Sequence, residues 1–462
     1  MITREEMELT RECLEYAKSC GASAVRITLT KSVENLVATL DGEIDKVTRC
    51  ADRSMSISLF ADGRYGSFSI NNLEKDALFR FIREAVETVR MFAPDEFRKL
   101  PEPERCCHTA LDGREMDIYD PAWESVTPED RTRMALEAAV SHAGPAAPHA
   151  GTATPHAGLD PASPGYTLVS EEGEYSDSEY DTYIVDSQGL ECRHTETSFD
   201  YGVEVTIEDA RGNKYSDYWW TAATHLKDYD ASDCGAIAVQ RAAEQIGAKP
   251  VKSGRYNMVV GAEVASRLVS PLLNALNANS IQQGNSFLVG SEGKKLFSDG
   301  FILLDEPWRK GESGSKLFDS EGVATIEAPI IKNGVVERYF VNTYMSEKMG
   351  IPATSEDATR PRLCGWPEEG LDRDALMNMC GSGILVTDFN GGNCTMTTGD
   401  FSYGISGQLF ENGKPVRPVH EMLITGNFLT LWQRLLAAGS DFRPCATKLI
   451  PSLAFSDVDF SG

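Results

Sequence analysis

The sequence predicts an α+β protein. An N-terminal antiparallel meander carries helices on one face, and a C-terminal domain that is mainly antiparallel β follows it. Three observations predict this. Asp41-Gly42 and Asp62-Gly63 stand between runs of apolar/polar alternation, the pattern of tight hairpins. Helix-period segments flank the meander instead of alternating with its strands, which argues for antiparallel pairing over βαβ units. Beyond residue 251 helix-period stretches are few after "SRLVSPLLNALN", and turns, glycines and apolar pairs dominate.

The elements follow in order. An amphipathic helix over Thr3 to Cys20 is stopped by Gly21 and feeds the strand "AVRITLT". "ENLVATLDGEIDKVTR" gives two strands about Asp41-Gly42, and "RSMSISLFADGRYGSFSI" two more about Asp62-Gly63. Met55, Ile57 and Leu59 alternate with serines, as a sheet with one buried face requires. Leu73, Ala77, Leu78, Phe81, Ile82, Ala85 and Val89 then line one helical face. The tract 142–165 is rich in Pro, Ala and Gly and repeats H-A-G with period seven. His142, His149 and His156 in such a chain have no fixed geometry, so the tract predicts a disordered low-complexity insertion and not a metal site. Order resumes at Asp181 with strands punctuated by D-S-Q-G and D-A-R-G turns. A helix around Cys234 ends at Gly247, and "AKPVKSG" marks a boundary. The expected domains are 1–250, with the insertion at 142–165, and 251–462.

The 462 residues carry 44 basic and 70 acidic side chains, a net charge of −26. Sequence-independent affinity for DNA and for anionic membranes rests on cations, so this balance argues against both as direct partners. The eleven cysteines include no C-x-x-C pair and are odd in number, as in a reducing compartment. The N-terminus lacks the basic start and apolar run of a secretory signal, and no apolar segment reaches membrane length. A cytoplasmic protein is expected.

"PVHEMLITGN" places His420 beside Glu421, the start of a zinc-protease H-E-x-x-H helix. The position four residues after His420 is Ile424, and Val419, Met422, Leu423 and Ile424 read as a short buried strand, with the His and Glu on the surface at its start. No phosphate-binding glycine loop, nucleophile elbow or kinase signature is present. "FDSEGVAT" and "TTGDFSYGISG" raise a catalytic reading through Asp319, Glu321 and Asp400, since carboxylates serve as bases or ligands. The structural reading is favoured: Gly322, Gly399, Gly404 and Gly407 permit turns and close backbone approach, and neighbouring Asp and Ser cap local N–H groups.

"SGSKLFDSEGVAT", "GVVERYFVNTYMSEKMG", the run Gly381 to Leu429 and "AAGSDFRPC" resemble the TldD/TldE (PmbA) family, and are most similar to its TldE branch. The resemblance spans the C-terminal half with high specificity and the N-terminal half loosely; the His-containing insertion has no counterpart in it. It implies a cytosolic metalloprotease pair that trims peptides, acts on unfolded substrates and matures a peptide antibiotic. Family names such as modulator of DNA gyrase come by genetic association. The metal-bearing TldD branch has an H-E-x-x-x-H helix after the first strand of the C-terminal domain and a Cys near the C-terminus. The matching segment here, "VVGAEVASRLVSPLLNAL", offers Glu263 and no histidine, and Cys445 stands at the family cysteine position. The resemblance thus implies a non-catalytic TldE-like subunit with no metal of its own, zinc or a similar metal being expected in a TldD-like partner. A groove for peptide or partner would be lined by Asp319, Glu321, Gly322, Thr398, Gly399, Asp400, Ser402 and Gly404, gripping a backbone by strand addition. The alternatives are a stand-alone peptide-binding homodimer, and a hydrolase using Cys445 as nucleophile or a redesigned metal site.

Overall fold

A computed structural model describes residues 1–139 and 165–462. The tract 142–165 therefore lies, but for Gly165, outside the described residues.

The first half is built on one sheet. Helix α1 (Arg4–Ser19) starts at a capping box in which Thr3 and Glu6 satisfy each other's backbone N–H groups. Strands β1 (Ala24–Leu40), β2 (Glu43–Ala61) and β3 (Arg64–Ile70) turn back through Asp41-Gly42 and Asp62-Gly63, all four residues having positive φ as two-residue hairpins of this kind require. Helices α2 (Lys75–Val89) and α3 (Pro128–Ala138) precede β4 (Tyr166–Asp186), β5 (Glu191–Asp209), β6 (Lys214–Ala223) and helix α4 (Cys234–Ala243). The six-stranded sheet runs β3-β2-β1-β4-β5-β6 with antiparallel neighbours. On one face Val25, Ile27, Leu29, Met55, Ile57 and Leu59 meet α1 and α2. Val37, Tyr175, Tyr201 and Val203 continue that alternation to meet α3 and α4. At one end the opposite face packs Ile184 and Cys192, with Leu190, against Cys106, Cys107 and Phe318.

The strands are longer and fewer than the sequence suggested. "AVRITLT" and "ENLVATL" are one strand, as are the two runs on either side of Ala51. No Gly or Pro interrupts them, and Val33 pairs with both Ala51 and Glu179, so the ladder carries through. Strand β4 also begins at Tyr166, well before Asp181. Its alternation is masked because acids occupy inward positions: Glu171, Asp177, Glu179 and Asp181 are buried. Asp177, 0 % exposed, accepts hydrogen bonds from Asn35, Trp123, Tyr175 and twice from Arg131. A buried carboxylate is tolerable on those terms alone.

The second half opens with β7 (Gly254–Val260) and α5 (Ala262–Ala275), followed by α6 (Ala278–Gln282). A four-stranded sheet, β10-β9-β8-β11, comprises β8 (Leu303–Asp305), β9 (Ala328–Lys332), β10 (Val335–Val336) and, after helix α7 (Thr343–Met349), β11 (Pro361–Leu363). Helix α8 (Arg373–Cys380) leads into β12 (Ser382–Thr395), β13 (Asp400–Glu411) and β14 (Lys414–Asn427); α9 (Phe428–Gln433), β15 (Leu435–Ala438) and β16 (Leu453–Ser461) complete the chain. These strands form a six-stranded sheet, β14-β13-β12-β7-β16-β15. Pairing is antiparallel except for β12 with β7. Strand β14 also pairs with β16, Ile424 facing Phe460, so the sheet closes on itself and β15 stands outside. Helix α5 is buried along most of its surface, with Val264, Leu268, Val269, Leu272 and Leu273 in the largest core. Among the described residues no helix is long and apolar enough to cross a membrane, and all eleven cysteines are unpaired.

The His420 segment departs from its expected place in one respect. His420 and Glu421 are exposed but lie within β14, not at a strand start. A bulge sets Ser406 opposite both residues, because Ile405 pairs with Met422 and Gly407 with Val419. Glu421 takes φ 56° there, and His420 Nδ1 lies 2.9 Å from Ser406 Oγ. Val419, Met422 and Ile424 are buried, while Leu423 is 46 % exposed.

Candidate functional site

Strand β7 hands directly into α5 through Gly261, which places Glu263 in the first turn of a helix docked against β12. An anion is at home there, because the helix dipole puts partial positive charge at the N-terminal end. Its partner comes from the other half of the molecule. Arg241 of α4 reaches Glu263 Oε1 at 3.2 Å, Asp217 Oδ1 of β6 at 2.9 Å and the Thr387 carbonyl of β12 at 3.1 Å. All three charged side chains are close to nine-tenths buried. Burial works against the Arg241 charge, yet Asp217 and Glu263 more than offset it and hold the guanidinium above its usual pKa. The Trp219 ring lies 5.3 Å from Arg241, and Arg443 stacks on Trp219 and Trp220 at 4.1 and 4.2 Å. Arg443 also donates to the Trp220 carbonyl, and Gln245 donates to Ser216 O at 2.9 Å. These two side chains cap outer-edge carbonyls of β6, which blunts that edge toward a further strand. Cys445 is half-buried two residues beyond Arg443.

The sequence-predicted groove residues fall into two separate neighbourhoods. Asp319 closes a turn by accepting from the N–H groups of Glu321 and Val323, at 2.9 and 3.0 Å, and from Glu356 N–H at 3.3 Å. Burial, reinforced by Glu321 and Glu356, pushes its carboxyl up to about 6. Glu321 Oε2 accepts from both the N–H and the hydroxyl of Thr343 at the start of α7, each at 2.8 Å. The Gly322 carbonyl accepts from Cys107 N–H, and a Cβ on Gly322, at φ 74°, would meet Leu190 at 2.3 Å. The loop thus pins the second half against the first.

Thr398, Gly399 and Asp400 form the other turn. Asn427 Nδ2 donates to Thr398 O at 2.8 Å and to Asp400 Oδ1 at 2.9 Å, while Thr398 Oγ1 donates to Asp400 Oδ2 at 2.7 Å. Those bonds, Asn427 first, hold the Asp400 carboxyl below its usual range. Gly399 has φ 80° beside Phe287. Ser402 pairs with Asn393 and Thr425, and a Cβ on Gly404 would lie 2.5 Å from the Asn390 carbonyl.

The chain matches the PmbA/TldA metallopeptidase domain 1 over residues 25–89, the central domain over 121–246 and the C-terminal domain over 253–462. A Bacteroides thetaiotaomicron protein described as a candidate modulator of DNA gyrase is 36 % identical, with a TM-score of 0.90 and 100 % of each chain covered. The chain belongs to the TldD/TldE (PmbA) family. Metalloprotease PmbA of Escherichia coli O157:H7 is 25 % identical over 97 % of each chain. TldE from Thermococcus kodakarensis, 17 % identical over 98 % of this chain and 100 % of its own, shares the fold with a TM-score of 0.79.

Read from Ala262, H-E-x-x-x-H puts Glu263 at its acid and Arg267 at its second imidazole. Arg267 turns to the Phe389 carbonyl at 3.5 Å. Among the described residues no group of three or more His, Cys, Asp or Glu side chains is arranged to hold a metal ion. Glu263 is already ion-paired to a guanidinium, and a second guanidinium replaces a ligand, so this donor set does not fit a divalent cation. Reading the sequence identified Glu263 and Cys445 but missed Arg241, Asp217, Trp219, Trp220 and Arg443. The adjacent tryptophans of "YWW" and the Arg of "DFRPC" were the available signal; nothing in one sequence said that they meet.

Proposed function

We propose that this chain is a TldE-like, non-catalytic subunit of a TldD/TldE-type metallopeptidase acting on peptides or unfolded chains, with the metal held by a TldD-like partner. The observation that carries this reading is the Arg241–Glu263 pair at 3.2 Å: a fixed internal cation takes the carboxylate that a catalytic relative would use. With Glu263 paired to Arg241 and no histidine on α5, the helix lacks the three donors that hold a water-activating metal. The groove turns around Asp319, Glu321 and Asp400 direct their carboxylates at backbone N–H groups and neighbouring side chains, which supports a shaping role for them in peptide or partner contact. Seven residues of this groove proposal, Asp319, Glu321, Gly322, Thr398, Gly399, Asp400 and Gly404, sit at turns or close approaches, and Ser402 pairs in the strand between.

The test is peptide cleavage by the purified chain, by its mixture with an H-E-x-x-x-H partner, and by the mixture carrying Cys445→Ala, each with and without chelator. The chain alone shows no chelator-sensitive turnover. The mixture cleaves, and Cys445→Ala changes its rate by less than about twofold, as expected for a residue outside the reacting centre. Stoichiometric zinc on the isolated chain together with turnover would overturn the assignment.

A further inference from the structure

Three local irregularities of the C-terminal sheet meet at Ser406. On β14 the bulge that sets His420 and Glu421 opposite Ser406 holds Glu421 at φ 56°, an uncommon conformation for a residue with a side chain. On the other side of β13, Asn390 and Gly391 of β12 stand together opposite Gly404, because Phe389 pairs with Ile405 and Gly392 with Tyr403. Gly404 must lack a side chain, since a Cβ there would strike Asn390 Oδ1 and the Asn390 carbonyl. Each irregularity helps to turn a side chain toward one hydroxyl. Asn390 Nδ2 donates to Ser406 Oγ at 2.9 Å, and His420 Nδ1 lies 2.9 Å from the same oxygen. Bulges that re-aim side chains, and backbone held in a costly conformation, gather at sites of function.

The Asn390 amide gives a proton to Ser406 Oγ, so the hydroxyl keeps its own proton for His420 Nδ1, and the imidazole carries its proton on Nε2. A serine that donates to an unprotonated imidazole nitrogen is an activated nucleophile. Ser406 is 8 % exposed, while Asn390, Gly391 and His420 around it are exposed, and a Cβ on Gly391 would meet nothing within 4 Å. That opening suits a short acyl group. We propose that Ser406, His420 and Asn390 form a metal-independent acyl-transfer site for esters of short carboxylic acids. Ser406 Oγ bonds to the ester carbonyl carbon while its proton passes to His420 Nδ1. The oxyanion so formed lies within reach of Asn390 Nδ2, the ester C–O bond breaks, and the alcohol leaves with the proton from His420. Water, deprotonated in turn by His420, releases the acid and restores Ser406. Neither a TldD-like partner nor α5 takes part, so this activity and the non-catalytic role in peptide cleavage stand or fall separately.

A fluorophosphonate probe and p-nitrophenyl acetate test it on the full chain, with chelator present throughout. The probe forms a P–O bond to the serine and loses fluoride, and mass spectrometry of the digested chain places the adduct on Ser406. p-Nitrophenyl acetate is hydrolysed with turnover. Ser406→Ala loses both. His420→Gln, on an exposed side chain, slows both on the order of a hundredfold, and Asn390→Ala slows turnover about tenfold or more. Circular dichroism and melting of each variant confirm folding. A parent chain that takes no adduct on Ser406, a result that needs no variant, overturns the proposal. So does turnover above the rate in buffer that survives Ser406→Ala, or labelling indifferent to His420→Gln.

Discussion

Asp319 shows how a single residue links a loop between the two halves to stability. Its free pKa is about 3.9, and in the folded chain burial and the nearby acids push it up to about 6. The folded form therefore holds the proton more tightly. Its favourable contribution is full below pH 4 and is lost as pH rises through 6, on the order of 3 kcal/mol. Asp319→Asn keeps an acceptor for the Glu321 and Val323 N–H groups but cannot ionise. Its melting temperature should match the parent at pH 4 and exceed it at pH 8; equal values at both pH values would show that the carboxyl is not perturbed. Arg241 gives the opposite case. Arg241→Met leaves Asp217 and Glu263 buried without their cation and should cost about 3 kcal/mol in denaturant unfolding. Glu263→Gln should cost about 1 kcal/mol, because Arg241 keeps Asp217. The reverse order of these two effects would remove Arg241 from the centre of the cluster.

At the scale of elements, the glycines of "TTGDFSYGISG" separate two demands that look alike in sequence. Gly399 has φ 80°, and its missing Cβ would sit 3.0 Å from Phe287, so Gly399→Ala should cost about 1–2 kcal/mol, mainly for the backbone conformation. Gly407 has ordinary φ, but a Cβ there would lie 1.8 Å from the Leu385 carbonyl on β12. Gly407→Ala must push β12 off β13 and should cost about 3 kcal/mol or more. Thermal unfolding of the two variants checks the order. The hairpin turns were legible because Asp-Gly at a two-residue loop is a local requirement. The unbroken length of β1, β2 and β4 was not, since Val33, Ala51 and the inward acids of β4 are kept in a strand by partners far along the chain.

For the whole molecule, charge is the controlling quantity. A chain at −26 with no long basic run should not retard duplex DNA even at about 0.05 M salt, where phosphate contacts are strongest. A salt-sensitive shift at micromolar protein would show a concealed cationic surface and reopen direct contact with DNA.

The sequence by itself determined the family, the α+β class, the first helix with its stop at Gly21, the two Asp-Gly hairpins and the lack of histidine in α5. Each of these is carried by residues close together in the chain, or by motifs whose spelling survives without the fold. Tertiary structure alone decided that β14 closes onto β16, that Asp177 can be buried, and that Arg241 from one half meets Glu263 from the other across the tryptophans of β6. Those outcomes rest on pairing and desolvation between segments distant in sequence. A buried charge is stable only when its partner has been delivered to it, and the chain's path, not its local spelling, makes that delivery.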